Sequence, residues 1–132
     1  MRRSRDTAAA VLAMALASGC GEGPVVRLEL DAFSGVPNPH WDLPAAESRR
    51  ITAKIESLPE VQAPVHVPDL GFRGFLLHKD GELIRVYGGY VIRQAQGRST
   101  TYRDTAGIEG QLAADARTRG YSDVLPASQP PR

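Results

Sequence analysis

Two apolar runs joined by Asp80-Gly81 constrain this chain more than any other feature in it. Gly74-Phe75-Leu76-Leu77-His78-Lys79 leads into the dipeptide, and Glu82-Leu83-Ile84-Arg85-Val86-Tyr87 leads out. Asp-Gly tolerates the positive φ that both central residues of a type I′ turn require, and that turn has the same twist as the strands it joins. A two-residue loop also fixes the register, pairing Lys79 with Glu82, Leu77 with Ile84 and Phe75 with Val86. These pairs share one face, with opposite charges beside the turn and an apolar ladder behind them. The other face carries Leu76, His78, Leu83, Arg85 and Tyr87 and is half polar. A chain holding this hairpin folds around an antiparallel sheet with one buried face.

Upstream, Val26, Leu28, Leu30 and Ala32 alternate with Arg27, Glu29 and Asp31, so Val25 to Ala32 reads as a half-buried strand. It runs into Phe33-Ser34-Gly35-Val36-Pro37-Asn38-Pro39-His40-Trp41. Pro37 and Pro39 fix φ, Gly35 admits φ > 0, and Val36 and Asn38 are pushed toward extended backbone by the prolines that follow them. Such a loop is stiff before folding and loses little entropy when it orders. It delivers the only tryptophan to the start of a helix expected over Pro44–Leu58. There Pro44 suits the first turn, Glu47 faces the positive end of the dipole, and Ile51, Ile55 and Leu58 form an apolar stripe. Prolines 59, 64 and 68 break the next stretch, in which Val65-His66-Val67 reads as a short edge strand.

Past the hairpin, Gly88-Gly89 is expected to mark a bulge, a bend or a close backbone approach before Tyr90-Val91-Ile92. Gln94–Ser99 reads as a turn and Thr100-Thr101-Tyr102 as a last short strand. A second helix is expected over Ala106–Arg119, capped by Asp104 or Thr105, with Ile108, Leu112 and Ala116 inward, an Asp115–Arg119 ion pair and Gly120 as an αL cap. Gly107 and Gly110 weaken this helix, so packing must hold it. Residues 121–132 are polar and proline-rich and are expected to be disordered. The fold class is α+β: residues 25–120 form a single domain, a small antiparallel sheet of about three to five strands with two helices on one face.

The first 19 residues belong to a processing signal rather than to this domain. Met1-Arg2-Arg3-Ser4-Arg5 is basic, and Thr7–Ser18 is an apolar run too short to span a bilayer. The run ends in Leu16-Ala17-Ser18-Gly19-Cys20, which resembles the lipobox of bacterial lipoproteins, with Ala17 where leucine is usual. The resemblance implies removal of residues 1–19, acylation of Cys20 (palmitate among the chains) and a short spacer over residues 20–24. Several acyl chains on one cysteine anchor a protein stably. Gly21 in place of aspartate implies the outer membrane, facing the periplasm.

With the signal removed, 13 basic and 14 acidic side chains remain, a near-neutral balance without the electrostatic footprint of a nucleic-acid binder. Cys20 is the sole cysteine, so neither a disulfide within the chain nor a cysteine-based zinc or redox site is possible. His40, His66 and His78 lack metal-ligand spacing, Ser34-Gly35 lacks the frame of a nucleophile elbow, and no cofactor is expected. The loop, together with Arg73-Gly74-Phe75-Leu76 and Val86-Tyr87-Gly88-Gly89-Tyr90, resembles a group of uncharacterised bacterial secreted and lipid-anchored proteins with an F-S-G-x-P-N-P-x-W motif. That resemblance brings no activity with it. The candidate ligand residues are Asn38, His40, Trp41 and Asp42 on one wall of a cleft, with Tyr87 and Tyr90 opposite, a set suited to a glycan or peptidoglycan fragment. The competing reading makes Phe33 and Trp41 core anchors and Asn38 an Asx turn. The expected function is a non-enzymatic binding or interaction module of the cell envelope with a protein or glycan partner. The alternative is a small envelope hydrolase using the same loop and the tyrosine strand.

Overall fold

The computed structural model describes residues 25–33 and 35–127. The expected signal over residues 1–19, Cys20 with the expected spacer to residue 24, and residues 128–132 lie outside these described residues. The elements in chain order are β1 (Arg27–Leu30), β2 (His40–Asp42), α1 (Ala45–Glu56), β3 (Phe75–Lys79), β4 (Glu82–Tyr87), β5 (Tyr90–Ala95), β6 (Arg98–Arg103) and α2 (Ile108–Thr118), followed by a 3-10 turn at Ser122–Val124. The strands form one six-stranded sheet in the order β2-β1-β3-β4-β5-β6. Each neighbouring pair is antiparallel.

The Asp80-Gly81 hairpin has the expected register, with Phe75 opposite Val86, Leu77 opposite Ile84 and Lys79 opposite Glu82. The same device is used twice more. Gly88-Gly89 is a second two-residue turn, between Tyr87 and Tyr90, and Gln96-Gly97 a third, between Ala95 and Arg98. Both central residues of each turn have positive φ: 47° and 76°, 65° and 87°, 53° and 75°. The glycine pair is therefore a reversal and not a bulge. That choice adds strands beyond the three to five expected and makes β3 to β6 a continuous meander.

Register places Leu28, Leu77 and Ile84 in one row and Leu30, Phe75, Val86 and Val91 in the next, all on one face. All seven are buried, together with Ile51, Ile55 and Leu58 from α1 and its end and Ile108, Leu112 and Ala116 from α2, in a single apolar cluster. Burial of this kind contributes about 1.5–3 kcal/mol per large side chain and holds both helices to the sheet. Ser48 joins α1 to β1. Buried at 1% exposure, its hydroxyl accepts from the Val26 N–H at 3.0 Å and donates to the Leu43 carbonyl at 3.2 Å.

Several local expectations are revised. Trp41 lies in the edge strand β2, opposite Leu28, and not at the start of a helix. Pro44 precedes α1 with φ −55° and ψ 152°, so it is the cap and not the first helical residue. Val65–Val67 is not a strand; Pro59–Val61 makes the edge contact instead, with Glu60 bridged to Tyr102. Gly107 is the left-handed residue before α2. Asp104 caps from further back, its two carboxylate oxygens accepting from the Ile108 and Glu109 N–H groups at 2.8 Å each.

The end of α2 forms the expected αL cap at Gly120, with φ 95°. The Gly120 N–H donates to the Arg117 carbonyl and the Tyr121 N–H to the Ala116 carbonyl, both at 3.0 Å, which is a Schellman closure. Tyr121–Ala127, expected as part of a disordered end, packs onto the body: Tyr121 stacks parallel to Trp41 at 5.9 Å between ring centroids, and Leu125 is buried. An aromatic ring and one leucine are enough to order a short polar segment when both have a receiving surface. Among the described residues, no helix is long and apolar enough to cross a membrane.

Gly74 supports the first bend into β3. It has φ 95°, and a Cβ there would lie 2.3 Å from the Val86 carbonyl oxygen and 2.8 Å from the Tyr87 Cβ. Backbone strain and a clash with backbone combine at this position. The Gly74→Ala variant is expected to lose about 3 kcal/mol or more, read as a lower urea midpoint at unchanged slope.

Candidate functional site

The proline loop is held by one buried carboxylate. Asp31, 4% exposed, follows β1 directly. Its Oδ1 accepts from Arg73 Nη2 at 2.8 Å, Arg73 Nε at 3.1 Å and Asn38 Nδ2 at 3.2 Å. Its Oδ2 accepts from Arg85 Nη1 at 2.8 Å. Arg85 also donates to the Arg73 carbonyl at 2.7 Å, which locks the two arginines together. Burial pushes the Asp31 carboxyl up, but hydrogen bonds from Arg85 and Arg73 and their charges outweigh it and hold the group below the ordinary carboxylate range.

Asn38 completes the knot. Its side-chain oxygen accepts from the Phe33 N–H at 3.1 Å and the Ala32 N–H at 3.3 Å, while its amide donates to Glu29 at 2.9 Å as well as to Asp31. Asn38 thus reaches back five and six residues and not, as in an Asx turn, to its own neighbours. Glu29 in turn meets His78 at 3.2 Å. The Asn38 side chain is thus engaged with the fold itself.

The six residues expected to face one another across a cleft do not meet. His40 and Asp42 are exposed on β2, opposite Glu29 and Arg27. Trp41 donates its Nε1–H to Asp115 at 3.0 Å and lies under the Arg119 guanidinium, 4.7 Å from its ring, with Tyr121 stacked on it. Tyr87 and Tyr90 flank the β4–β5 turn, where Tyr87 packs near Phe72 and Tyr90 receives Arg103 at 5.5 Å. Two strands separate β2 from β4, which carries Tyr87, and three separate it from β5, which carries Tyr90, so the two walls lie about 14–19 Å apart at the usual strand spacing. The competing reading of Trp41 as a core anchor fits this geometry.

A different concavity lies beside the glycine pair. The Gly88 and Gly89 N–H groups, both at positive φ, converge on the Glu109 carboxylate at 3.1 and 2.9 Å. Two successive N–H groups so arranged form a nest that receives an anion. Next to it opens a cavity of about 560 Å³ between α2, the β4–β5 turn and the returning C-terminal segment. Phe72, Gly110 and Ala113 contribute apolar surface, Glu109 and Arg117 contribute charge, and Pro126 and Ala127 close one side. Two smaller hollows beside the Asp80-Gly81 and Gln96-Gly97 turns, of about 440 and 410 Å³, are shallower and lie at the other end of the sheet.

Sequence reasoning marked the glycine pair as a place of close approach but missed Phe72, Glu109 and Arg117, which share no local pattern and meet only through packing. Among the described residues, no group of three histidine, cysteine, aspartate or glutamate side chains is placed to hold a metal ion. Comparisons with protein-family models, curated proteins and solved structures find no match for this chain.

The knot yields a prediction for Asp31→Asn. Removing the charge leaves two guanidinium groups only 27% and 26% exposed without their anion, so a loss of about 3 kcal/mol is expected. The pH dependence has a definite sign. Because the folded pKa is depressed, the stabilisation is complete above the unfolded value of about 3.9 and disappears as pH falls through the folded value. Urea midpoints measured from neutral pH to below pH ~4 should therefore fall more steeply for the wild type than for Asp31→Asn.

Proposed function

We propose that this chain is the precursor of a lipid-anchored cell-envelope protein, acylated at Cys20 and held at the outer membrane facing the periplasm, where it acts as a non-enzymatic binding module. Support for the anchor comes from the basic, apolar and small-residue sequence that ends in the sole cysteine. Support for binding comes from the direction in which β1 runs. The chain enters β1 at Arg27, at the end of the sheet where β3 finishes at Lys79 and β6 begins at Arg98. Only four residues separate Cys20 from Val25, a reach of about 17 Å even fully extended, so that end stays by the bilayer.

The opposite end carries the Gly88-Gly89 turn, the proline loop and the charged groove along α2. Polarity of the strands thus turns the groove away from the anchor and toward other envelope components. The observation that carries the reading is a charged concavity of about 560 Å³ at the end of the sheet opposite the start of β1, which supports a partner meeting the domain there. Attachment to the surface raises the effective concentration of the domain near such partners. The hydrolase alternative, built on Asn38, His40, Trp41, Tyr87 and Tyr90, draws no support from the geometry: β1 and β3 lie between the strand that carries His40 and Trp41 and those that carry the tyrosines, and Asn38 and Trp41 are bonded within the fold.

Metabolic labelling with palmitate tests the anchor. Wild-type protein should carry label and sediment with membranes, and Cys20→Ser should lose both. An unlabelled wild-type protein released in soluble form would overturn the reading.

A further inference from the structure

The groove along α2 has two charged ends and an apolar middle. Glu109 stands in the first turn of α2 and Arg117 two turns later, about 12 Å apart at the helical rise. Each oxygen of the Glu109 carboxylate accepts one N–H from the glycine turn, and a carboxylate retains further lone pairs beyond those two. Among the described residues, Arg117 has no carboxylate partner; its guanidinium reaches only the Pro126 carbonyl, at 3.5 Å, the long limit of a hydrogen bond. The other arginines near it are engaged, Arg119 with Asp115 and Trp41, and Arg73 with Asp31. Between the two charges the floor is Phe72, Gly110 and Ala113, with no further charged side chain.

We infer that this groove binds a short peptide with free termini, its ammonium group at Glu109 and its carboxylate at Arg117. The inference deepens the binding-module reading and rests on it. Charge complementarity sets the polarity of the ligand: an anionic site and a cationic site on one wall match a zwitterion and repel its reverse. Length follows from the separation. An extended peptide advances about 3.4 Å per residue, so three or four residues span the gap. Side-chain size follows from the floor, since Gly110 and Ala113 leave a shallow bed for small side chains and no deep side pocket. The volume of about 560 Å³ is within the usual range for small-ligand sites.

Calorimetry on the full acylated chain in detergent micelles, with trialanine and tetra-alanine as probes, tests the inference. Saturable one-site binding is expected, weakened at least about tenfold when the peptide carboxylate is amidated or when Arg117 is changed to Gln. Gly110→Leu gives an independent arm. A side chain added at Gly110 meets nothing within 4 Å, and leucine favours the helix more than glycine does. This variant should therefore keep or raise the urea midpoint while filling the groove and abolishing binding. The inference fails if neither peptide binds at millimolar concentration, if the amidated peptide binds equally well, or if Gly110→Leu binds undiminished. Palmitate labelling is indifferent to all three results, so loss of this ligand and loss of the anchored-protein reading are separate outcomes.

Discussion

A single carboxylate joins the parts of this fold that the chain itself separates widely. Asp31 sits where β1 has just ended, and its two oxygens collect Arg73 from before β3, Arg85 from the middle of β4 and Asn38 from the proline loop. The backbone reinforces the side chains: the Asp31 N–H donates to the Gly74 carbonyl at 3.0 Å, and the Arg73 N–H donates to the Asp31 carbonyl at 2.7 Å. These bonds extend the β1–β3 ladder beyond Leu30. They also explain why position 74 admits only glycine, since the strand passes against the Val86 carbonyl there. Two guanidinium groups around one carboxylate repay its desolvation through geometry, with both of its oxygens accepting charge-assisted hydrogen bonds.

A second clamp closes the β2 edge of the sheet. β2 has only three residues, short for an edge strand, which limits its exposure as a template for pairing with other chains. Trp41 projects from it toward the helices, bonded to Asp115 and covered by Arg119 and Tyr121. All three partners come from the last turns of α2 and the residue after its Schellman closure. Gly120 is what allows this, because a left-handed residue there reverses the chain in time to bring Tyr121 back over the indole. The returning segment then buries Leu125 and supplies Pro126 and Ala127 as a side of the α2 groove. The tryptophan contributes to the groove at a distance, by fixing the segment that walls it.

Much of the sheet was legible from short-range chemistry. The β3–β4 register followed from Asp80-Gly81 because a two-residue turn leaves one pairing available. The apolar stripe of α1 was legible for the same reason of periodicity, and Ile51, Ile55 and Leu58 are all buried. The glycine pair was harder to read. Gly88-Gly89 satisfies a bulge or a type I′ turn equally well, and what decides between them is the pairing of Tyr90–Ala95 back onto β4, a segment whose second half is polar. Asn38 was similarly open, since an asparagine between prolines suits a ligand wall, an Asx turn or a long-range cap, and only the position of Glu29 and Asp31 selects the last.

By itself the sequence determined the units: an antiparallel hairpin with one apolar face, two amphipathic helices, a stiff proline loop and a basic-then-apolar N-terminal stretch that runs to Cys20. Each of these follows from residues within a few positions of one another, where periodicity, turn chemistry and φ restrictions act. Tertiary structure alone decided what the units do together. It sent Asn38 and Trp41 into the fold, set Tyr87 and Tyr90 on β4 and β5 with two and three strands between them and β2, and brought Phe72, Glu109 and Arg117 around one groove. Those placements depend on side chains dozens of residues apart competing for the same buried carboxylate or the same apolar face, and no local pattern encodes the winner.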